Sequence, residues 1–267
     1  MSITFGTLYS GSGGNCTVFS DGKDTVLIDA GWNRKHLLDG LEYAGIAPDD
    51  IGAIFITHCH TDHIGALHVF LKDRKIPVHA SMGTSGAICG ACAADMLHRH
   101  KRIFSETVGN IKVTSYKTSH DVESVGYVIE DSGRRFGYAT DLGVFTEENA
   151  DALCGCECVI LESNHDPEML RHGPYDISLQ KRIRSDFGHL SNEQSACAAL
   201  KLAANGTKRF ILAHISEKNN LPGLALRTSY DALSSAGYRV VPACNELEDG
   251  DIGLCVASAA EPVLLRL

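Results

Sequence analysis

Three histidines and an aspartate fall within the run His58-Cys59-His60-Thr61-Asp62-His63. Neutral imidazole and carboxylate suit borderline or hard divalent cations, and this many donors so close together can serve two neighbouring ions. The apolar stretch 51–56 just before them reads as a buried strand, so the donors sit where a strand ends. A histidine-rich solvated turn would look similar in isolation. The pattern recurs, however. His120 follows an expected strand at 111–116, Asp141 follows one at 135–139, and His214 directly follows one at 209–213. Alone, each would be an ordinary loop residue. Together with the first cluster they are donors on loops that converge on one rim, enough for two ions with an open coordination position. Cations about 4 Å apart need a bridging anion, and a water between them loses its proton near neutral pH.

A second group of residues could handle an anionic substrate. Gly188-His189-Leu190-Ser191-Asn192 opens an expected helix at 192–204, with Ser191 as N-cap and Gln194 completing a capping box. The positive end of that helix makes Ser191 and Asn192 candidates for binding phosphate. His189 beside them could bind a phosphate oxygen or protonate a leaving group. A plain helix cap with a surface histidine is the alternative. His165 is a candidate for the same proton-transfer role or for orienting another residue. Lys181 and Arg182 could pair with phosphates, or form a solvated face with Arg184 over 178–184.

The elements that must position these groups are strands early in the chain with helices interspersed. Strands are expected at 3–9, 16–19, 25–29, 53–57, 77–80, 111–116, 124–130, 135–139, 158–162 and 209–213. Helices are expected at 33–44, 63–73, 192–204 and 223–236, with part of 83–102 also helical. Donors at strand ends in both halves fit a two-sheet sandwich with helices on its outer faces.

At 267 residues the chain can bury a large core, and 44% hydrophobic with 21% charged residues is ordinary for a soluble protein. No apolar run approaches the roughly 18 residues that would span a bilayer, so no membrane partner is expected. Ten cysteines and no export signal at the start point to a reducing cytoplasm. A net charge of −9 argues against a broadly basic surface but leaves room for a local basic groove. With 7% aromatic residues, a long base-stacking platform is not expected.

Other residues carry less. Cys89 and Cys92 have a Cys-x-x-Cys spacing, and Cys154, Cys156 and Cys158 are crowded, but neither set has a second pair at zinc-finger spacing. Cys59 reads as a non-ligand between ligands. His98 and His100, with Arg99 and Lys101, read as a solvated helix face, and His36, His68, His79 and His172 have no motif around them. The glycine loop 10–15 lacks the Gly-Lys-Ser/Thr ending of a phosphate loop and reads as a hairpin connection that Asn15 could order.

The order His58-x-His60-x-Asp62-His63, His120, Asp141, His214 resembles the metallo-β-lactamase superfamily. The resemblance covers nearly the whole chain. It implies an α+β fold, an αββα sandwich forming a single domain over residues 1–267, with the metal site at the sandwich edge. It also implies two divalent metal ions: His58, His60 and His120 on one, Asp62, His63 and His214 on the other, and Asp141 between them. The donor types leave Zn, Mn and Fe open. Glu162-Ser-Asn-His-Asp166, Gly188-His-Leu-Ser-Asn192 and His214-Ile-Ser-Glu-Lys-Asn-Asn220 resemble the YycJ (WalJ)-like branch, as do Gly11-Ser-Gly-Gly-Asn-Cys-Thr17 and Leu27-Ile-Asp-Ala-Gly31. That branch implies a phosphodiesterase acting on nucleic acid, DNA first, as a 5′-to-3′ exonuclease linked to repair. Asp62, Asp141, His189 and His165 are then the candidate catalytic residues. The β-CASP nucleases carry an inserted domain between the last two ligands. Here core elements account for the stretch from Asp141 to His214, so a clamp would have to come from a partner, as in a homo-oligomer. The alternative reading is a small-molecule ester, thioester or lactone hydrolase of the glyoxalase II or lactonase type.

Overall fold

The computed structural model describes residues 2–267. Strands β1 (Thr4–Tyr9), β2 (Cys16–Ser20), β3 (Thr25–Ile28), β4 (Ile51–Phe55), β5 (Val78–Ser81) and β6 (Leu97–His100) come first. Then follow β7 (Ser105–Val108), β8 (Ile111–Thr118), β9 (Ser124–Asp131), β10 (Arg134–Ala139), β11 (Cys158–Glu162), β12 (Arg209–Ala213), β13 (Arg239–Val241), β14 (Asp251–Val256) and β15 (Val263–Arg266). They form a seven-stranded sheet in the order β15-β1-β2-β3-β4-β5-β6 and an eight-stranded sheet in the order β13-β14-β12-β11-β10-β9-β8-β7. The last strand thus returns to the first, with Thr4 opposite Arg266.

The helices are α1 (Arg34–Ala44), α2 (Thr61–Ile64), α3 (Leu67–Leu71), α4 (Met82–Ser85), α5 (Glu147–Leu153), α6 (Pro167–His172), α7 (Ile177–Ile183), α8 (Asn192–Ala204) and α9 (Pro222–Ser235). Their packing follows from strands that are apolar on both faces. In β4, Ala53 and Phe55 face the inter-sheet core with Phe5, Phe19, Tyr127 and Phe136, whereas Ile54 joins Leu37, Leu41 and Phe70 on the outer face. The Phe5 and Phe136 rings lie 5.1 Å apart across the sandwich. A third cluster joins Val159, Leu161 and Leu212 of the second sheet to Leu202 of α8 and Leu233 of α9. The result is the expected α+β sandwich, one domain built on one inter-sheet core.

Two expectations are corrected. The helix at 63–73 is two short pieces, α2 and α3, because the Ala66 N–H leaves the helical ladder to donate to the Ala30 carbonyl at 2.9 Å, and Gly65 packs closely on Trp32. The stretch 83–102 is helical only at its start, and His98 and His100 belong to β6 rather than to a helix. The Ser191 capping box forms as expected, with Gln194 returning the bond. No helix among the described residues is long and apolar enough to cross a membrane.

Candidate metal centre

The donors meet because parallel strands end together. β3, β4, β10, β11 and β12 terminate at Asp29, His58, Asp141, Glu162 and His214, directly or within three residues. Asp29, Asp141 and His214 leave their strands in the left-handed backbone region, at φ of 62°, 58° and 57°. Non-glycine residues rarely hold that conformation, and such strain concentrates at functional sites. Gly31 lets the chain cross close by: a Cβ there would lie 1.7 Å from the Asp62 carbonyl oxygen.

Two donor groups adjoin. His58, His60 and His120 form one; Asp62, His63 and His214 form the other. Asp141 is 2% exposed and lies 3.2 Å from His63 Nε2, 3.5 Å from His214 Nδ1 and 3.9 Å from His120 Nε2.

Protein partners, most of them buried, fix which imidazole nitrogen faces inward. Asp29 accepts from His63 Nδ1 at 2.7 Å and from the Thr57 hydroxyl at 2.8 Å, and Thr57 Oγ1 lies 3.0 Å from His58 Nδ1. His120 Nδ1 donates to the Gly188 carbonyl at 3.1 Å. Asp121 lies 3.2 Å from His60 Nε2. Glu162 accepts from His189 Nδ1 at 2.8 Å and from His214 Nδ1 at 2.9 Å. In each candidate histidine the outer nitrogen is therefore placed to donate to protein, which leaves the inner nitrogen to present a lone pair. Asn15 links the glycine loop to the site, with Nδ2 3.2 Å from both Asp62 Oδ2 and His63 Nε2.

This donor set fits divalent cations. His58 Nε2 and His60 Nδ1 face one another at 3.0 Å, and His60 Nδ1 and His120 Nε2 at 3.4 Å, so three ring nitrogens converge on one point. Buried Asp141 Oδ2 has no hydrogen-bond partner among the described residues. Burial alone would lift the Asp141 carboxyl, but His214 and His63 hold it well below its usual range. Burial likewise disfavours charge on His63, yet Asp141, Asp29 and Asp62 raise it well above the ordinary imidazole value. The field of these carboxylates calls for positive charge where the two groups meet. Burial opposes ionisation of Glu162 too, but His189 and His214 bring its pKa down to about 2.

The centre opens onto a cavity of about 260 Å³, lined among others by Asp62, Asp141, His214, His189, Arg182 and Tyr175. With Nδ1 engaged by Glu162, His189 has Nε2 left for this cavity. Arg182 reaches it from α7 and is paired to Asp121 at 2.7 Å. The structure thus brings His58, His60, Asp62, His63, His120, Asp141, His214, His189 and Arg182 to one place.

Other candidates lie elsewhere. Ser191 Oγ is spent within its cap, on Gln194 N and Glu193. The Asn192 amide is buried in a reciprocal pair with Asn220 at 2.9 and 2.8 Å. Neither lines the cavity, and the expected phosphate-binding side chains are engaged by protein partners here. Lys181 is exposed outside the cavity. His165 is buried, its backbone bridged to Ser191, and burial drives its pKa down to about 4; it does not line the cavity either.

Asp29, Asp121 and Glu162 were not singled out from the sequence. Asp29 and Glu162 carry the signal used for the ligands, an acid at the end of an apolar strand, and Asp121 adjoins His120. We expect Glu162→Gln to lower kcat/KM and metal affinity by about 10- to 100-fold, since it releases both His189 and His214. Metal titration and steady-state kinetics would check this; wild-type values for both would refute the orienting role.

Residues 24–215 match the beta-lactamase superfamily domain. The chain belongs to the metallo-β-lactamase superfamily. Among curated members, it is 34% identical to "Exodeoxyribonuclease YycJ" of Bacillus anthracis over 94% of this chain and 96% of that one. It is 33% identical to "Exodeoxyribonuclease WalJ" of Streptococcus pneumoniae, covering 88% of this chain and 90% of the relative. These matches put it in the YycJ-like branch of the superfamily. The metallo-β-lactamase fold protein YhfI from Bacillus subtilis superposes with a TM-score of 0.74 over 99% of this chain and all of its own, at 14% identity, a likeness of fold. As a superfamily member with this centre, the protein is a metal-dependent hydrolase.

Proposed function

We propose that this protein is a dinuclear metal-dependent phosphodiesterase, a cytoplasmic exonuclease that degrades DNA from the 5′ end and serves DNA repair. The observation that carries this is the pair of adjoining donor groups around Asp141, opening on a cavity that also holds His189 and Arg182. The names of the two curated relatives supply the substrate class. Two divalent cations, Zn, Mn or Fe, bound there would polarise a phosphoryl group and acidify a water. Asp62 and Asp141 accept hydrogen bonds from the attacking water and hold it in line with the scissile bond. His189, steadied by Glu162, delivers a proton from Nε2 to the departing oxygen. Arg182 draws in a phosphate.

Nuclease assays on 5′-labelled and internally labelled DNA and RNA, single- and double-stranded, test this on protein stripped of metal and reloaded with Mn or Zn. Metal-dependent release of short products from DNA 5′ ends is the expected result. Turnover of thioester or lactone probes with every polymer left intact would sink it. Arg182→Ala is expected to raise KM for DNA and to flatten the dependence of log KM on log salt by about one unit of slope. An unchanged slope would remove Arg182 from the phosphate path.

A further inference from the structure

The histidines that the sequence reading set aside gather at the far edge of the sandwich. In the register of the first sheet, Phe55 of β4 lies opposite His79 of β5, and His79 opposite His98 of β6. Residues two apart on a strand share a face, so His100 projects to the same side as His98. The rings form a column: Phe55 on His79 at 4.7 Å, His79 on His98 at 4.7 Å, and His100 on Phe104 at 4.2 Å. Phe55 belongs to the inter-sheet core and Phe104 packs against it, so this column lies on the inner face of the sheet.

β6 is the edge strand of the first sheet and β7 the edge strand of the second. They are consecutive in the chain yet pair in different sheets, so the backbone ladder does not join these two edges. Glu106 arrives from β7. His79 Nδ1 lies 3.1 Å from His100 Nε2, and His100 Nδ1 lies 3.7 Å from Glu106 Oε1. These two contacts use opposite nitrogens of the His100 ring, but with one donor atom taken from each residue all three fall within 4.8 Å of one another. Two imidazole nitrogens facing each other at about 3 Å are also what His58 and His60 show in the metal centre described above.

We propose that His79, His100 and Glu106 form a separate divalent-cation site, suited to Zn²⁺, that clips the free edges of the two sheets together. Two imidazoles and one carboxylate are a usual zinc donor set, and three protein ligands leave a fourth position for water. The donors are ready for it. His79 is almost fully buried, and burial together with His98 and His100 lowers its pKa to about 4, so its ring is neutral and its lone pair free at physiological pH. His100 is shifted down in the same way, mainly by burial. Glu106 keeps a 40% exposed side chain, which gives a cation a path in from solvent. A clip here would join β6 and β7, the two edge strands that do not pair with each other.

The test counts metal and reads stability, not catalysis. Purified wild type, His100→Ala and Glu106→Gln are dialysed against chelator, titrated with Zn²⁺ and assayed for bound metal by mass spectrometry. Thermal midpoints are taken with and without the ion. His58→Ala is carried alongside so that binding at the catalytic centre is read separately. We expect His100→Ala to bind one zinc fewer than wild type and to lose part of the zinc-dependent rise in midpoint. Glu106→Gln, which changes one atom and leaves the histidines in place, is expected to bind this zinc at least about tenfold more weakly. His58→Ala should keep the portion of the rise that His100→Ala loses. Equal stoichiometry and equal zinc-dependent stabilisation in wild type and both edge variants would overturn the proposal and leave a simple His–His–Glu hydrogen-bond relay.

Discussion

Asp141→Asn is expected to cut kcat/KM by about a thousandfold and to lower the bound metal. Asp141 is the buried carboxylate that lies between the two donor groups, and under the proposed dinuclear reading an amide in its place would bring no charge to offset the cations. Asparagine is the better probe than alanine for a reason of backbone. At φ 58° the residue is left-handed, a region that asparagine enters readily and alanine enters at a cost of about 1 kcal/mol. Asp141→Ala therefore mixes loss of a ligand with loss of stability, whereas Asp141→Asn isolates the charge. The measurement is metal content by mass spectrometry beside steady-state kinetics, with circular dichroism to show that the fold is kept. A variant with wild-type turnover and full metal content would remove Asp141 from the centre.

His189→Ala should lower turnover of DNA by about a hundredfold or more, the usual contribution of a positioned general acid. The argument rests on geometry. Glu162, fully buried and ionised, holds His189 Nδ1 at 2.8 Å, so the ring presents Nε2 to the cavity. A general acid matters least when the leaving group needs no proton. The same variant should therefore lose far less activity on a bis(p-nitrophenyl) phosphodiester than on DNA. Equal losses on both substrates would make His189 a binding or packing residue. The Glu162→Gln variant serves as a companion: it keeps the His189 ring and removes what steadies it, so it should show a smaller version of the same split between substrates.

The candidate ligands were legible in the sequence because their spacing carries the chemistry. His58, His60, Asp62 and His63 lie within one turn, and His120, Asp141 and His214 each close an apolar strand. Period and polarity are local properties, so the strands, the capping box at Ser191 and the sandwich they imply could be read along the chain. The histidines of β6 could not. His98 and His100 alternate with charged residues in a stretch rich in alanine, glycine and cysteine, which suits a helix face as well as an edge strand. Only pairing with β5 decides between them. The partner of the Asn192 side chain was out of reach of the sequence for a related reason. Gln194 and Glu193 meet Ser191 within the same helical turn, but Asn220 lies 28 positions from Asn192 and meets it only once the helix docks.

What the sequence by itself determined is therefore the set of donors, the class of fold and the order in which strands deliver ligands to a rim. The tertiary structure alone decided which nitrogen of each histidine faces inward. For His63, His60 and His214 that choice belongs to Asp29, Asp121 and Glu162, which meet them across gaps of 34, 61 and 52 positions in the chain. It also decided that His79, His100 and Glu106, from strands of two different sheets, would come to lie side by side. Local patterns record what a residue can do, while the partner that makes it do so is set by packing between segments far apart in sequence.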